Sequence, residues 1–235
     1  MFNYLIFEVL IMKKLLLIAA TSATILSSSV SFAEGMDHEW YLRIDTGAAM
    51  FNEEKDKTTG VKLKSNTTVP VALGIGYYIS ENFRADLTLG TIIGGKLKKS
   101  GAATNAPFTR TNVSARHKPT ITRLLINGYV DLTNFDMFDV FAGAGVGPAL
   151  VKEKITYNGI TGLSSNTKNR TNISYKLTLG TSAQIADGVK VELAYSWIDD
   201  GRTKSKNVIY QGTSVPTGGM HYQSHNLTAG IRFDI

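Results

Sequence analysis

The residues best suited to catalysis lie close together near the C-terminus, in the stretch HYQSH at 221–225. A serine beside one histidine (His225) and three residues after another (His221) has the composition of a nucleophile with a general base. On a β-strand, however, residues an odd number of positions apart point to opposite faces. Ser224 therefore cannot readily pair with either histidine, and no acid is evident to orient one. The stretch favours a polar strand start over an enzyme, and no catalytic residue is assigned.

Other classes of site are also disfavoured by the sequence. The chain has no cysteine and four histidines, which excludes disulfides, thiolate metal sites and thiol nucleophiles. The stretch GAGVG at 143–147 has the glycine content of a phosphate loop, but it lacks the following helix and the lysine that such a loop requires. We therefore predict no metal and no cofactor.

The strongest charge signal lies in residues 95–118, GKLKKSGAATNAPFTRTNVSARHK, which hold basic residues and no acid. The whole chain has a net charge of +6. Such a balance indicates an anionic partner: nucleic acid, anionic lipid or anionic glycan. Small and polar residues separate the charges, so we expect a flexible, exposed segment that does not bury itself. We predict a partner-binding patch made of Lys96, Lys98, Lys99, Arg110, Arg116 and Lys118.

The N-terminal region indicates export. The stretch MKKLLLIAATSATILSSSVSFA, residues 12–33, combines two lysines, an apolar run and small residues before a cleavage site, the pattern of a secretory signal peptide. Its apolar core is too short for a membrane anchor, which needs about 20 residues. We predict a signal peptide over residues 1–33, with Met12 as the true start, and one domain over 34–235. An exported protein is not expected to meet nucleic acid.

Eight stretches of the exported chain alternate between apolar and polar residues with the period of two that is typical of β-strands. They are WYLRIDTGAAMF, VPVALGIGYYI, FRADLTLGTII, TITRLLINGYVDL, VFAGAGVGPAL, ISYKLTLGTSAQI, VKVELAYSW and NLTAGIRFDI. Short turns alternate with long polar connections at 52–66, 95–117, 152–170 and 199–221. An even strand number with this alternation predicts an eight-stranded antiparallel transmembrane β-barrel, with four long extracellular loops and short periplasmic turns.

The polar faces of these strands decide between a barrel and a soluble β-sandwich. A sandwich would turn its apolar faces inward and leave the charged faces in water. The charged faces, however, are also rich in glycine, which weakens an exposed strand but makes room inside a narrow barrel. We therefore predict a lipid-facing apolar surface around a lumen filled by ion pairs. The predicted lumen charges are Arg43, Asp45, Arg84, Asp86, Arg123, Asp131, Lys176, Lys190, Glu192, Arg232 and Asp234.

The stretches GIGYYISENFRADLTLG, VFAGAGVGPAL and LTAGIRFDI resemble the opacity-type and OmpA-like family of small outer-membrane barrels. They are similar in particular to the rickettsial surface proteins of that family that are classed as adhesins. The resemblance covers nearly all of the exported chain. It implies a barrel in the bacterial outer membrane whose loops contact host cells, with vitronectin-type matrix proteins as partners.

The sequence leaves three functions open. We expect an adhesin that binds host-cell or matrix glycoproteins through basic extracellular loops. The alternative is a structural envelope barrel or narrow porin, whose loop lysines would serve only to bridge lipopolysaccharide phosphates. A lipid-modifying barrel enzyme is disfavoured by the arrangement of the HYQSH stretch.

Overall fold

The computed structural model describes residues 40–56, 58–104, 112–134, 138–158, 164–166, 169–210 and 213–235. The predicted signal peptide lies outside the described residues, and so does Arg110. Within the described part of the chain, no helix is long and apolar enough to span a membrane.

Eight long strands of the described chain form a closed antiparallel barrel, as the sequence predicts. With all strands numbered β1 to β14 in chain order, the barrel strands are β1 (Trp40–Phe51), β4 (Val69–Ser80), β5 (Phe83–Ile93), β7 (Asn112–Asn134), β8 (Asp139–Asn158), β10 (Arg170–Ala186), β11 (Val189–Arg202) and β14 (His221–Asp234). Each barrel strand pairs with the next, and the last strand returns to the first, with Tyr41 opposite Asp234. Because the barrel closes, none of its eight described strands presents a row of unpaired backbone groups to lipid.

The two ends of the barrel differ. At one end the connections are short, and the Asp187–Gly188 hairpin has Gly188 at φ +65°, the left-handed conformation that such a turn requires. At the other end the predicted loops contain further strands: β2 (Glu54–Lys55), β3 (Lys62–Ser65), β6 (Leu97–Ala102), β9 (Ser164–Asn166), β12 (Ser205–Tyr210) and β13 (Thr213–Gly218). Together with the upper parts of β7 and β8 they build an extracellular extension of the barrel.

The apolar faces of the barrel strands point outward, as predicted. Leu89 is 55% exposed and Ile126 is 65% exposed, whereas Arg84 and Asp86 are buried inside. An outward apolar face on a closed barrel is what the hydrocarbon layer of a membrane requires.

A network of ion pairs fills the lumen. Glu192 accepts a hydrogen bond from Arg232 at 2.6 Å and pairs with Arg43 at 3.1 Å and Arg84 at 3.4 Å. Arg43 is also bound to Asp45 at 2.9 Å. The prediction that ion pairs fill the lumen is therefore confirmed, with Glu192 at the centre of the network.

One acid of the ion-pair network, Asp200, is not among the predicted lumen charges. Arg123 donates two hydrogen bonds to Asp200, a residue that the sequence places in a long loop. Asp200 lies on β11, three residues past the predicted strand end at Trp197, because the strand continues to Arg202. The added acid balances the six predicted lumen cations with six acids.

Glycines give the large lumen side chains their room, as the sequence predicts. A Cβ atom on Gly76 would lie 2.1 Å from the ring of Tyr41, and one on Gly180 would lie 2.5 Å from the ring of Phe141. At these distances a Cβ atom would fit only if the ring moved. A lumen cavity beside Arg43, Lys176 and Asn226 leaves about 60 Å³ for water, enough for a few ordered molecules.

Candidate functional site: a basic wall on the extracellular extension

The predicted partner-binding residues lie on a regular sheet surface. On β7, Arg116 and Lys118 are exposed, while Ala115 and His117, which alternate with them, are buried. This arrangement arises because the period of two continues beyond the membrane, with cations taking the outward positions that Leu124 and its neighbours hold lower down.

The strand register brings cations of four adjacent strands side by side. Lys98 on β6 lies opposite Arg116 on one side and Lys64 of β3 on the other. Lys118 lies opposite Lys154 of β8. We call this surface the basic wall, and its members are Lys64, Lys96, Lys98, Arg116, Lys118, Lys152 and Lys154, all of which are exposed.

Electrostatic repulsion within the basic wall is not relieved by the described acids. Lys62 at its edge pairs with Glu53 at 2.7 Å, but no acidic side chain among the described residues points outward from β6, β7 or β8 at this level. Like charges directly opposite each other destabilise a sheet. A surface that accepts this cost is suited to binding an anion with several charges.

The structure brings together four of the six predicted residues. Lys98 and Arg116 are opposed in register, and Lys96 lies level with Lys118 because Leu97 pairs with His117. The backbone of Lys99 lies on β6, but its side chain and all of Arg110 fall outside the described residues. Whether any of the six binds a partner remains a prediction.

Sequence reasoning missed three members of the basic wall. They are Lys64, Lys152 and Lys154. For two of them the spacing in the sequence indicates the position. Lys152 and Lys154 lie two and four residues after Leu150, so they share its outward face of β8. The period-two pattern could have been followed through the charged residues instead of being stopped where the apolar residues end.

The expectation that this segment is flexible and buries nothing is wrong for its described residues. Leu97 and Ala115 are buried in a core that also contains Leu63, Ile155 and Tyr222. The segment forms strands because small and apolar residues alternate with its cations, and these pack under the basic wall. The wall is therefore presented by an ordered sheet.

A buried polar cluster ties the strands of the extension together. His117 lies 2.5 Å from Glu153 through Nδ1 and 3.2 Å from Asp56 through Nε2. Tyr222 donates to Glu153 at 2.6 Å, and Tyr157 donates to Asp56 at 3.1 Å. Burial alone would lower the pKa of His117, but the two carboxylates outweigh it and raise the pKa to about 9. The imidazolium thus links the hairpin of β2 and β3 to β7 and β8.

The HYQSH stretch does not assemble a catalytic group. Ser224 is buried on the inward face of β14, while His225 points outward and stacks on Tyr195. The expectation that no acid orients a histidine is wrong, since Asp199 lies 2.8 Å from His221 Nε2. That histidine also points outward, away from the serine, so the pair has no nucleophile beside it.

Comparison with known proteins places this geometry in a family. The family model described as "Outer membrane protein beta-barrel domain" matches residues 18–233. A Rickettsia rickettsii protein named "Putative adhesin" is 99% identical over 224 residues, which are 95% of this chain and all of the relative. A Rickettsia prowazekii protein with the same designation is 78% identical over 224 residues, with the same two coverages. A Rickettsia conorii relative, 98% identical over 226 residues (96% of this chain and all of the relative), is named only as uncharacterized.

Solved structures agree on the fold. Neisserial surface protein A has a TM-score of 0.51 at 15% identity, covering 83% of this chain and 97% of its own. OprG of Pseudomonas aeruginosa has a TM-score of 0.50 at 13% identity, covering 87% of this chain and all of its own. The protein is thus located in the outer membrane, and the chain belongs to the outer membrane protein β-barrel family.

Proposed function

We propose that this outer-membrane barrel is an adhesin that binds anionic groups of host-cell or matrix glycoproteins through its basic wall. The observation that carries the proposal is the direct opposition of cations across neighbouring strands, Lys64 to Lys98 to Arg116, without an outward-pointing acid on the described parts of β6, β7 and β8. An anionic ligand would relieve that repulsion as it binds.

Two further considerations support the proposal. Two of the relatives, 99% and 78% identical, carry the name "Putative adhesin". The family resemblance implies matrix proteins of the vitronectin type as partners, and acidic or sulfated segments of such glycoproteins would match the wall in charge. Each exposed contact is worth only about 0–1 kcal/mol, so useful binding requires several contacts together.

The test is a variant in which all six predicted residues are replaced by glutamine: Lys96, Lys98, Lys99, Arg110, Arg116 and Lys118. We expect this variant to fold and to lose most of its binding to host-cell surfaces, while each single replacement has little effect. Binding of the parent should weaken as salt rises, because screening shortens to about 8 Å near physiological ionic strength.

A control variant removes three positive charges elsewhere on the extracellular side. Lys55, Arg202 and Lys204 are exposed and lie off the basic wall, and their combined replacement by glutamine should leave binding nearly unchanged. A sixfold variant that folds and binds as well as the parent at physiological salt would show that the predicted patch, which includes Lys96, Lys98, Arg116 and Lys118 of the basic wall, is not the contact surface.

A structural barrel or narrow porin is the second candidate. The filled lumen argues against an open pore. Side chains and ion pairs around Glu192 leave only about 60 Å³ for water in the cavity beside Arg43. We expect no steady conductance from the barrel in a planar bilayer. Stable channels with ohmic current would instead favour a porin.

A further inference from the structure

The lumen cavity beside the ion-pair network is lined by more cations than acids. Of the described charged residues, Arg43, Arg123 and Lys176 border it, together with Asp45 as the acid. Seven of the eight described barrel strands contribute to the lining, so the cavity lies inside the barrel and not on its lipid-facing surface. Polar and charged groups enclosed in this way are costly unless each finds a partner.

Lys176 is a lining cation that the barrel itself does not pair. Its side chain borders the cavity from β10. Among the described residues, no carboxylate lies within ion-pair distance of its ammonium group, and no atom accepts a hydrogen bond from it. The lumen acids contact arginines instead: Asp45 and Asp86 contact Arg43, Asp131 and Glu192 contact Arg84, Asp200 contacts Arg123, and Asp234 contacts Arg232.

The other charged groups at the cavity are already bound. Arg43 donates to both oxygens of Asp45, from Nε at 3.0 Å and from Nη2 at 2.9 Å. Arg123 likewise donates to both oxygens of Asp200. Because each of these carboxylate oxygens already accepts from an arginine, neither acid contacts the ammonium group of Lys176.

The neutral groups of the lining add further hydrogen-bond donors. The hydroxyls of Thr178 and Ser196 lie 3.0 Å apart, and since one donates to the other, one O–H is left to donate elsewhere. Asn226 is 3% exposed, and its Oδ1 atom has no hydrogen-bond partner among the described residues. The barrel therefore does not fix this amide, which can turn its N–H groups toward the cavity.

The strand register gathers these donors on one side of the cavity. Ser196 on β11 lies opposite Thr178 of β10 and opposite Asn226 of β14. Lys176 is two residues before Thr178, on the same inward face of β10. An ammonium group donates and cannot accept. A water molecule would add donors of its own to this group, whereas an anion only accepts, so the arrangement favours an anion as the partner of Lys176.

We propose that the cavity is a binding site for a small monovalent inorganic anion of the chloride class, held by Lys176 with the donors of Thr178, Ser196 and Asn226. The volume of about 60 Å³ suits such an ion with ordered water and is too small for an organic acid. Asp45 at the edge of the cavity opposes a ligand with two or more negative charges. The site lies apart from the basic wall, and it does not depend on attachment to a host.

The experiment measures whether chloride stabilises the folded barrel. The refolded full-length parent is unfolded in detergent by urea, which adds no chloride, while chloride replaces isethionate at constant ionic strength, from none to physiological concentration. Lys176→Met removes the ammonium group and keeps an unbranched apolar side chain. Lys190→Met is the matched control, because Lys190 is also a lumen lysine but lies over the ring of Tyr78, at 5.8 Å, and does not border the cavity.

We expect chloride to raise the ratio of folded to unfolded parent, by up to about tenfold for each tenfold rise in chloride above the dissociation constant. Lys190→Met should show the same dependence, and Lys176→Met should show none. A second measurement needs no variant: crystals of the parent soaked in bromide should give an anomalous difference peak between Lys176 and Asn226.

A parent whose stability does not depend on chloride would overturn the proposal. So would a folded Lys176→Met variant that responds as the parent does, because chloride would then act elsewhere, such as on the basic wall. Loss of the response in both lysine variants would assign it to the total charge of the lumen and not to this cavity. A bromide-soaked crystal without a peak in the cavity would also contradict the site.

Discussion

Replacement of Glu192 by glutamine isolates the central charge of the lumen network. Glutamine has nearly the same shape, so the change leaves no cavity and removes one negative charge. The carboxylate lies between three guanidinium groups, at 2.6 Å from Arg232, 3.1 Å from Arg43 and 3.4 Å from Arg84. It is 2% exposed, so water cannot replace it without rearrangement.

The contacts that the three arginines keep without Glu192 set the size of the expected loss of stability. Without Glu192, Arg84 retains Asp131 at 3.7 Å and Arg232 retains Asp234 at 3.9 Å, both loose contacts. Removing one partner of a buried pair costs about 3–5 kcal/mol. Because Arg43 keeps Asp45 and Asp86 and glutamine still accepts one hydrogen bond, we expect the lower end, a loss of about 3 kcal/mol.

The assay is equilibrium unfolding by denaturant in detergent, followed by the heat-modifiable gel mobility typical of such barrels and by tryptophan fluorescence. Glu81→Gln, in an exposed periplasmic turn, is the matched control and should stay within about 0.5 kcal/mol of the parent. The double variant Glu192→Gln with Arg232→Gln should recover part of the loss, because it restores the charge balance. A Glu192→Gln barrel as stable as the Glu81→Gln barrel would refute the network.

Two further predictions concern packing and pH. Gly76→Ala should destabilise the barrel by about 1–3 kcal/mol by displacing the ring of Tyr41, whereas Gly128→Ala, which meets nothing within 4 Å, should stay within about 0.5 kcal/mol on the same assay. The raised pKa of His117, about 9 against about 6.5 unfolded, means that its stabilisation is full below pH 6.5 and is lost as pH rises to 9. Protection of the extracellular extension from protease should therefore fall over that range, and His117→Gln should lower the protection at pH 6 and flatten the dependence. A parent whose protection is constant from pH 6 to 9 would contradict the assignment of His117.

The fold follows from the sequence because a barrel strand carries its signal locally. The alternation of Leu87 and Leu89 with Arg84 and Asp86 fixes both the strand and its faces. Glycine among charges then distinguishes a lumen from a solvated surface. These features could therefore be predicted without knowing which strands are neighbours.

The site could be predicted only in part because it depends on register. The charges of residues 95–118 are visible in the chain, but the opposition of Lys118 to Lys154 is set by pairing between strands. The buried polar cluster of the extension was not predicted, for a related reason. His117, Glu153 and Asp56 lie far apart in sequence and meet only when the extension folds.

The most direct test of the account uses the absence of native cysteine. Lys98→Cys would be labelled on intact cells with a membrane-impermeant maleimide, with and without a bound matrix glycoprotein, beside Asp187→Cys in a periplasmic turn. We predict that position 98 is labelled on intact cells and protected by the glycoprotein, while position 187 is labelled only after permeabilisation. Labelling of position 98 that needs permeabilisation would contradict its surface location, and labelling that the bound glycoprotein leaves unchanged would contradict attachment through the basic wall.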